Sequence, residues 1–479
     1  MYMDSDGSPV LDNDSGTGEA GEEIEVTAPE LEGYTLDNDR QTLVLSDNAQ
    51  DNTVVFIYKE VPTSREEPVQ EESELEESSE SEPAIVYNTE GHLRILNKKY
   101  TERAEFDILA ARFARESGID TSVESPKTGK YSSTLAENLT GSRSDPTIFI
   151  LSGTRDFEKY GSQCLDLTDC AAAKELLSED YALHGTNGRT YGLACIVESY
   201  GLLVNTDLLE KAGYSISDIQ SFRDLKRITE DITSRKKSLG FSAFTSPSIG
   251  PSAHGYYRYA EHAPAVPLYY ELRDNDFNTG MTLHGDYMGY FKDYIDLCLN
   301  NSCVSPKQAT SRTLEDAQQE FIQQKAVFHQ DGSWDYRMLK DSMQNNLDVL
   351  PLYMGIPGEE DHGQCSTTSY FWCVNKYASA DDIEAALQFL QWLVTSDDGR
   401  QTMASDMDFL IPYKGASAPD NLFLRKLLEE EEEGRPPVIQ YYKNGNYDSW
   451  INAINNALEA YANGTGSWGA VTEGFKKLW

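Results

Sequence analysis

The stretch Thr190-Tyr191-Gly192-Leu193-Ala194-Cys195-Ile196-Val197-Glu198-Ser199-Tyr200-Gly201-Leu202-Leu203-Val204-Asn205-Thr206-Asp207-Leu208-Leu209-Glu210-Lys211-Ala212-Gly213 decides the architecture. It reads as a long apolar strand with one acid, Glu198, in its middle, followed by a helix that Gly213 caps. Ser221-Phe222-Arg223-Asp224-Leu225 then opens a second helix that runs to about residue 239, and Gly240-Phe241-Ser242-Ala243-Phe244 returns as a strand. Strand and helix alternating at this interval predict an α/β fold. An acid inside an apolar strand must find a partner or a ligand, so Glu198 is a candidate binding residue, with a structural hydrogen bond as the competing reading.

The same alternation extends outward. Leu93-Arg94-Ile95-Leu96 reads as a strand, and residues 100–116 carry apolar side chains at helical spacing. Thr147-Ile148-Phe149-Ile150-Leu151 is nearly all apolar and predicts a buried parallel strand. It runs into Ser152-Gly153-Thr154-Arg155, a loop at a strand's carboxyl end, where open α/β sheets bind ligands. Gly153, Thr154 and Arg155 are therefore candidates, although a loop arginine is often simply solvated.

Downstream, an amphipathic segment at 313–325 leads into Lys325-Ala326-Val327-Phe328-His329-Gln330-Asp331-Gly332-Ser333-Trp334-Asp335-Tyr336. A short apolar strand ends in Asp-Gly-Ser, and an indole stands just past the turn. Such a rigid plate suits the flat face of a ring-shaped ligand, which nominates Trp334, with Asp331 beside it; core packing is the competing reading for the indole. In Cys365-Ser366-Thr367-Thr368-Ser369-Tyr370-Phe371-Trp372-Cys373, hydroxyls lead into three aromatics. A period of two sends Tyr370 and Trp372 to one side; Tyr370 is a candidate cleft residue, and Trp372 reads equally well as core. Trp392, near Leu387 and Phe389, reads as core.

Eighty acidic against forty basic residues give a formal charge of −40. That argues against nucleic acid and anionic membranes as partners, since both need clustered Lys and Arg. Residues 1–85 hold 24 acidic and 3 basic side chains, so two regions of different character are joined. No apolar run approaches the roughly 18 residues of a membrane span. Six of the seven cysteines form close pairs by sequence, Cys164/Cys170, Cys298/Cys303 and Cys365/Cys373, and Cys195 is left over. Their spacing does not fit zinc; local disulfides and free thiols both remain open. Asp12-Asn13-Asp14 lacks the downstream Glu of a calcium loop. No metal and no cofactor are expected.

Residues 1–59 read as short strands between Gly, Asn and Asp turns, and the start, Met1-Tyr2-Met3-Asp4-Ser5-Asp6, is no signal peptide and reads as the middle of a longer protein. Residues 60–83 hold ten Glu and three Pro and predict a disordered, self-repelling linker through about residue 84. Tyr2 to Gly7, Gly16-Thr17-Gly18, Val26-Thr27-Ala28-Pro29-Glu30-Leu31-Glu32-Gly33-Tyr34 and Phe56-Ile57-Tyr58-Lys59 resemble the MucBP repeat of Gram-positive wall-associated proteins. This implies a small β-rich spacer.

Residues 85–479 resemble the extracellular solute-binding proteins of carbohydrate ABC importers, of the maltodextrin and oligosaccharide type. The resemblance rests on the strand with Glu198, on Asn205-Thr206-Asp207-Leu208-Leu209 running to Ala212-Gly213, on the Gly332–Trp334 step, and on Ala385-Ala386-Leu387-Gln388-Phe389-Leu390-Gln391-Trp392-Leu393-Val394-Thr395. It implies a two-lobed, type II periplasmic-binding-protein-like fold with a ligand cleft at the hinge. The lobes would be about 85–202 with 347–411, and about 203–346 with 412–479. It also implies ligand roles for Ser152 to Arg155, Glu198 and Trp334, for Trp450 near the C-terminal helix, and for Tyr257 or its neighbours Tyr256 and Tyr259.

The function implied is non-catalytic binding of α-glucan oligosaccharides such as maltodextrin or starch, outside a Gram-positive cell and attached to its surface. The MucBP-like module favours a glycan-capturing surface protein resembling the starch-adherence proteins of gut Firmicutes. The alternative is the lipoprotein receptor of an ABC importer. A glycan-active enzyme, with two acids among Glu198, Asp331 and Asp335, and a protein adhesin rank below both. A monomer is expected, with a permease or other glycan-degrading surface proteins as partners.

Overall fold

The computed structural model describes residues 87–249, 262–278, 280–343, 346–440 and 447–477, with parts of the first sixty. The acidic run 61–86 and the tyrosines 256, 257 and 259 lie outside the described residues. No described helix is long and apolar enough to cross a membrane. The chain forms two compact units. One comprises Met1–Ile150, Gln163–Glu175 and Cys373–Thr402; the other comprises Leu151–Ser162, Leu176–Trp372 and Met403–Trp479.

The first unit begins with short strands: β1 (Tyr2–Asp4), β2 (Glu23–Thr27), β3 (Tyr34–Thr35), β4 (Arg40–Val44) and β5 (Phe56–Glu60). β1 runs parallel to β5, β3 antiparallel to it, and β2 pairs antiparallel with β4. Tyr2, Phe56 and Tyr58 form their small core, with the Tyr2 and Phe56 rings 6.1 Å apart. Three of them, β2, β4 and β5, fall within a few residues of the apolar runs Ile24–Val26, Thr42–Leu45 and Thr53–Tyr58, whereas nothing in the sequence singled out β1 or β3.

Next come β6 (His92–Leu96), β7 (Asp120–Glu124) and β8 (Ile148–Leu151), with β6 parallel to both others. All four residues of β8 are buried, as its apolar run predicted. Helices Arg103–Ser117 and Ala380–Thr395 meet through Phe113, whose ring lies 5.2 Å from Phe389 and 5.3 Å from Trp392. Trp392 is core, as expected, and its Nε1 donates to Glu116 at 2.7 Å.

In the second unit, β9 (Ala182–His184) pairs antiparallel with β10 (Thr190–Ala194). The predicted long strand is in fact two. β10 stops at Ala194, and β11 (Glu198–Asn205) starts after Cys195-Ile196-Val197 and joins a different sheet. Glu198 therefore opens a strand rather than sitting in the middle of one. Asn205 caps the next helix, Thr206–Lys211, by accepting from the Leu208 amide at 3.0 Å, and Gly213 leaves it at φ +90°. Ser221 caps helix Phe222–Ser234 in the same way.

β12 (Ser242–Phe244), β13 (Ala326–Gly332), β14 (Leu347–Leu350) and β15 (Cys365–Thr367) complete most of that sheet. β16 (Phe371–Val374) pairs with β10 through Leu193–Trp372, and β17 (Val438–Ile439) closes the sheet beyond β15. The order is β12-β13-β11-β15-β17, with β14 also on β11. Its main core gathers Leu202, Val204, Phe244, Phe328, Trp450 and Phe475.

Gly201 lets β14 approach. A Cβ there would stand 2.5 Å from the Leu350 carbonyl oxygen, which is backbone and cannot give way. Gly201→Ala should therefore lower the stability by about 1–3 kcal/mol. Urea denaturation checks this through a lower midpoint at unchanged slope.

Candidate functional site

One end of β11 gathers three of the sequence-predicted features within the second unit. Glu198, buried, is the Cα partner of Thr367 on β15. The next residue, Ser199, accepts from the Ser333 amide at 2.8 Å, and its own amide donates to Ser333 Oγ at 3.2 Å. Trp334 follows directly. Its turn is further tied by Asp335 N to Gly332 O at 3.2 Å, by Asn421 Nδ2 to Ser333 O at 2.9 Å, and by Gln318 Nε2 to Asp335 Oδ2 at 2.9 Å.

Trp334 is half-buried. Its ring centroid lies 4.8 Å from that of His262 and 6.1 Å from that of Tyr200. The indole also lies over Gly332: a Cβ there would come within 2.5 Å of the six-membered ring. Glycine is thus the residue that lets the indole sit down on the strand end.

Asp331 does something other than the ligand contact expected of it. It is 1% exposed. Its Oδ2 accepts from His329 Nε2 at 2.9 Å and its Oδ1 from the Gly332 amide at 2.7 Å. A buried carboxylate must be paired, and these two bonds serve that need.

Trp450 is a second correction. The indole has no exposed surface, lies in the main core against Phe475 at 5.4 Å, and donates from Nε1 to the Phe475 carbonyl at 2.5 Å. Helix Tyr447–Ala462 turns this residue inward, so an aromatic near the C-terminal helix is packing, not a plate.

The strand-end loop at 152–155 is a helix start. Helix Gly153–Tyr160 begins at once, with Gly153 at φ +67°, and Asp156 Oδ2 accepts from the Ser152 amide at 2.9 Å. Arg155 is exposed, 3.5 Å from Asp156. Tyr370 is half-buried and precedes β16, its carbonyl accepting from the Cys195 amide at 2.8 Å. Trp372 is core. All seven cysteines are free thiols, and burial pushes that of Cys365 up to about 12.

A cavity of about 250 Å³ opens in this unit. Gly153 and Thr154 contribute from the helix start. Ser178, Asp180 and Tyr181 come from the turn before β9, and His184 from its end. Ser366, Thr367 and Thr368 add hydroxyls along β15, and Phe371, Pro437, Ile439 and Gln440 complete the wall. Hydroxyls, one carboxylate, an imidazole and an amide thus stand among apolar faces.

The polar groups are held in place. Ser178 Oγ donates to Asp180 Oδ2 at 3.2 Å and accepts from the Asp180 amide at 3.1 Å. With Nε2 donating to the Glu179 carbonyl at 3.2 Å, His184 Nδ1 faces the Thr190 hydroxyl at 3.4 Å. The Gln440 backbone N–H donates to the Ser366 carbonyl at 2.8 Å, and its side-chain Nε2 donates to the Tyr447 hydroxyl. Burial first, then the charges of Glu431 and Asp180, raise the Tyr181 hydroxyl above its ordinary value and keep it a neutral donor. Behind β15, Glu430 accepts from the Gln364 amide at 2.7 Å, and its carboxyl is raised by burial.

Of the predicted residues, Gly153 and Thr154 line the cavity. Glu198 is not among the lining residues, although Thr367, its partner across the ladder, is, and Trp334 shares that end of the sheet. Ser178, Asp180, Tyr181, His184 and Gln440 were not foreseen. They come from short polar runs with no period, and only the Ser-x-Asp turn signal at 178–180 marks two of them.

Residues 109–423 match the family model described as bacterial extracellular solute-binding protein, and residues 1–59 match the MucBP domain. A search of curated proteins finds no match. Among solved structures, a family 1 extracellular solute-binding protein of Bifidobacterium longum subsp. infantis is 17% identical, with a TM-score of 0.62 over 81% of this chain and 99% of that one. An ABC substrate-binding protein of Listeria monocytogenes in complex with cycloalternan is 16% identical, with a TM-score of 0.60 over 81% and 98%. Maltose-bound MalE3 of T. maritima is 17% identical, with a TM-score of 0.58 over 81% and 98%. At these identities the likeness is one of fold: the two-lobed periplasmic-binding-protein type.

Trp450→Ala should cost about 3–5 kcal/mol of stability, the range for truncating a buried aromatic. Chemical denaturation measures it; an unchanged midpoint would return Trp450 to the surface.

Proposed function

Because this chain belongs to the bacterial extracellular solute-binding proteins, we propose that it binds oligosaccharides outside the cell and releases them unchanged. The observation that carries this is the cavity beside Thr154, where hydroxyl, carboxylate and amide groups stand among apolar walls. A pyranose needs that mixture: apolar C–H faces bounded by a rim of hydroxyls. Trp334, Glu198, Arg155, Tyr370 and Tyr257 belong to the proposed ligand surface along with Gly153 and Thr154. The lobes in this reading run over about 85–202 with 347–411, and about 203–346 with 412–479.

α-Glucan oligosaccharides are the proposed ligands, and the maltose named for one similar structure supports that choice. Binding without cleavage is supported by Asp331, whose two oxygens are already bonded to His329 and Gly332 and so do not serve as a glycosidase carboxylate. The MucBP match ahead of the solute-binding region favours a monomeric glycan-capturing module attached to a Gram-positive surface, working beside glycan-degrading proteins. Delivery to an ABC permease is the second reading, favoured by the family itself.

Calorimetric titration with maltotriose, cellotriose and xylotriose tests the proposal. Maltotriose should bind, and Trp334→Ala should weaken it about tenfold, the worth of one good aromatic contact. Absence of heat with all three sugars would refute carbohydrate binding, and equal affinity in the variant would remove Trp334 from the site.

A further inference from the structure

Behind the Trp334 turn lies a buried polar chain that ligand contact does not explain. His329 and Asp331 stand two apart on β13, so they share one face of the strand. Both are 1% exposed. Thr245 Oγ1, just past β12 and also 1% exposed, lies 3.0 Å from His329 Nδ1. His329 Nε2 lies 2.9 Å from Asp331 Oδ2, and Asp331 Oδ1 accepts from the Gly332 amide at 2.7 Å. Phe321 stacks on the imidazole at 5.2 Å.

An ionised carboxylate only accepts, so His329 Nε2 carries the proton and Nδ1 can accept from the Thr245 hydroxyl. The chain then runs in one direction, Thr245 to His329 to Asp331, and ends on the amide of the glycine beneath the indole. Nothing in core packing demands this arrangement. An apolar side chain at 329 or 331 would be cheaper to bury, because each buried polar group must be matched.

We propose that Thr245, His329 and Asp331 are positioning residues that hold the Gly332 turn, and through it the Trp334 indole, in the orientation that receives the ligand. The proposal rests on reading Trp334 as a ligand plate. The imidazole, locked on three sides, fixes the Asp331 rotamer. Asp331 fixes the direction of the Gly332 amide. Gly332 offers no Cβ, so the indole settles on its α-carbon. The outer bonds of Ser333 and Asp335 hold the rest of the turn but do not reach Gly332 N.

Fluorine NMR of the full chain labelled with 5-fluorotryptophan tests this. Six tryptophan resonances are expected, and Trp334→Phe identifies the one that matters. Asp331→Ala should move the Trp334 resonance, leave the other five in place, and weaken maltotriose binding about tenfold. Asp331→Asn should restore both, since its Oδ1 can still accept from Gly332 N while its Nδ2 donates to His329 after a change of tautomer. In the Trp334→Ala background, Asp331→Ala should add no further loss of affinity. Should Asp331→Ala fail to fold, Thr245→Val is read the same way, with a smaller shift of the same resonance.

An unmoved Trp334 resonance in a folded variant, or additive losses in the double variant, would overturn the proposal. If the parent binds no sugar while the resonance still moves, the ligand reading of Trp334 falls and the mechanical link from Asp331 to the indole stands.

Discussion

The hydrogen-bond ladder of β11 is what the second unit depends on. All eight residues from Glu198 to Asn205 are buried, so every backbone N–H and C=O there needs a partner in the protein. β13 covers one edge over Tyr200–Val204. The other edge is shared by β14 over Leu202–Asn205 and β15 over Glu198–Tyr200. The handover falls at Gly201, where the Leu350 carbonyl comes too close for any side chain. Site elements hang from the first two residues of this strand: Thr367 across from Glu198, and the Ser333–Trp334 turn bonded to Ser199. A shift of one residue in β11 would turn the whole set over.

Much of this was legible in the sequence. Alternation of apolar runs and capped helices gave the α/β class, and Asn205, Gly213 and Ser221 do the capping their residue types predict. The buried strand at 148–151 and the core position of Trp392 followed from unbroken apolar patterns. The break between β10 and β11 did not, because Cys195-Ile196-Val197 is as apolar as the strands it separates, and a change of sheet leaves no mark on hydropathy. The helix start at Gly153 was hidden for a related reason: Ser-Gly-Thr reads as a loop until Asp156 is seen to accept from the Ser152 amide.

The site was read less well than the fold. Trp334 looked like a plate because a turn precedes it, and it does lie on the strand end. Trp450 rested on sequence position near a helix, and the helix turns it into the core. Asp331 was nominated for its place beside Trp334 at the strand end, but its carboxylate is taken up from inside by His329, two residues earlier. That pair shares a face by strand period, which the sequence contains, yet no pattern distinguishes a buried partner from a bound ligand. Ser178, Asp180, His184 and Gln440 meet only in three dimensions.

The central claim is that the cavity beside Thr154 and the Trp334 end of β11 together receive a saccharide. A crystal structure of the full chain grown with maltotriose tests it most directly. The account predicts sugar hydroxyls within hydrogen-bond distance of Thr154, Asp180 or Gln440 and a pyranose face against the Trp334 indole. A sugar bound elsewhere on the chain, with that cavity filled only by water, would contradict it.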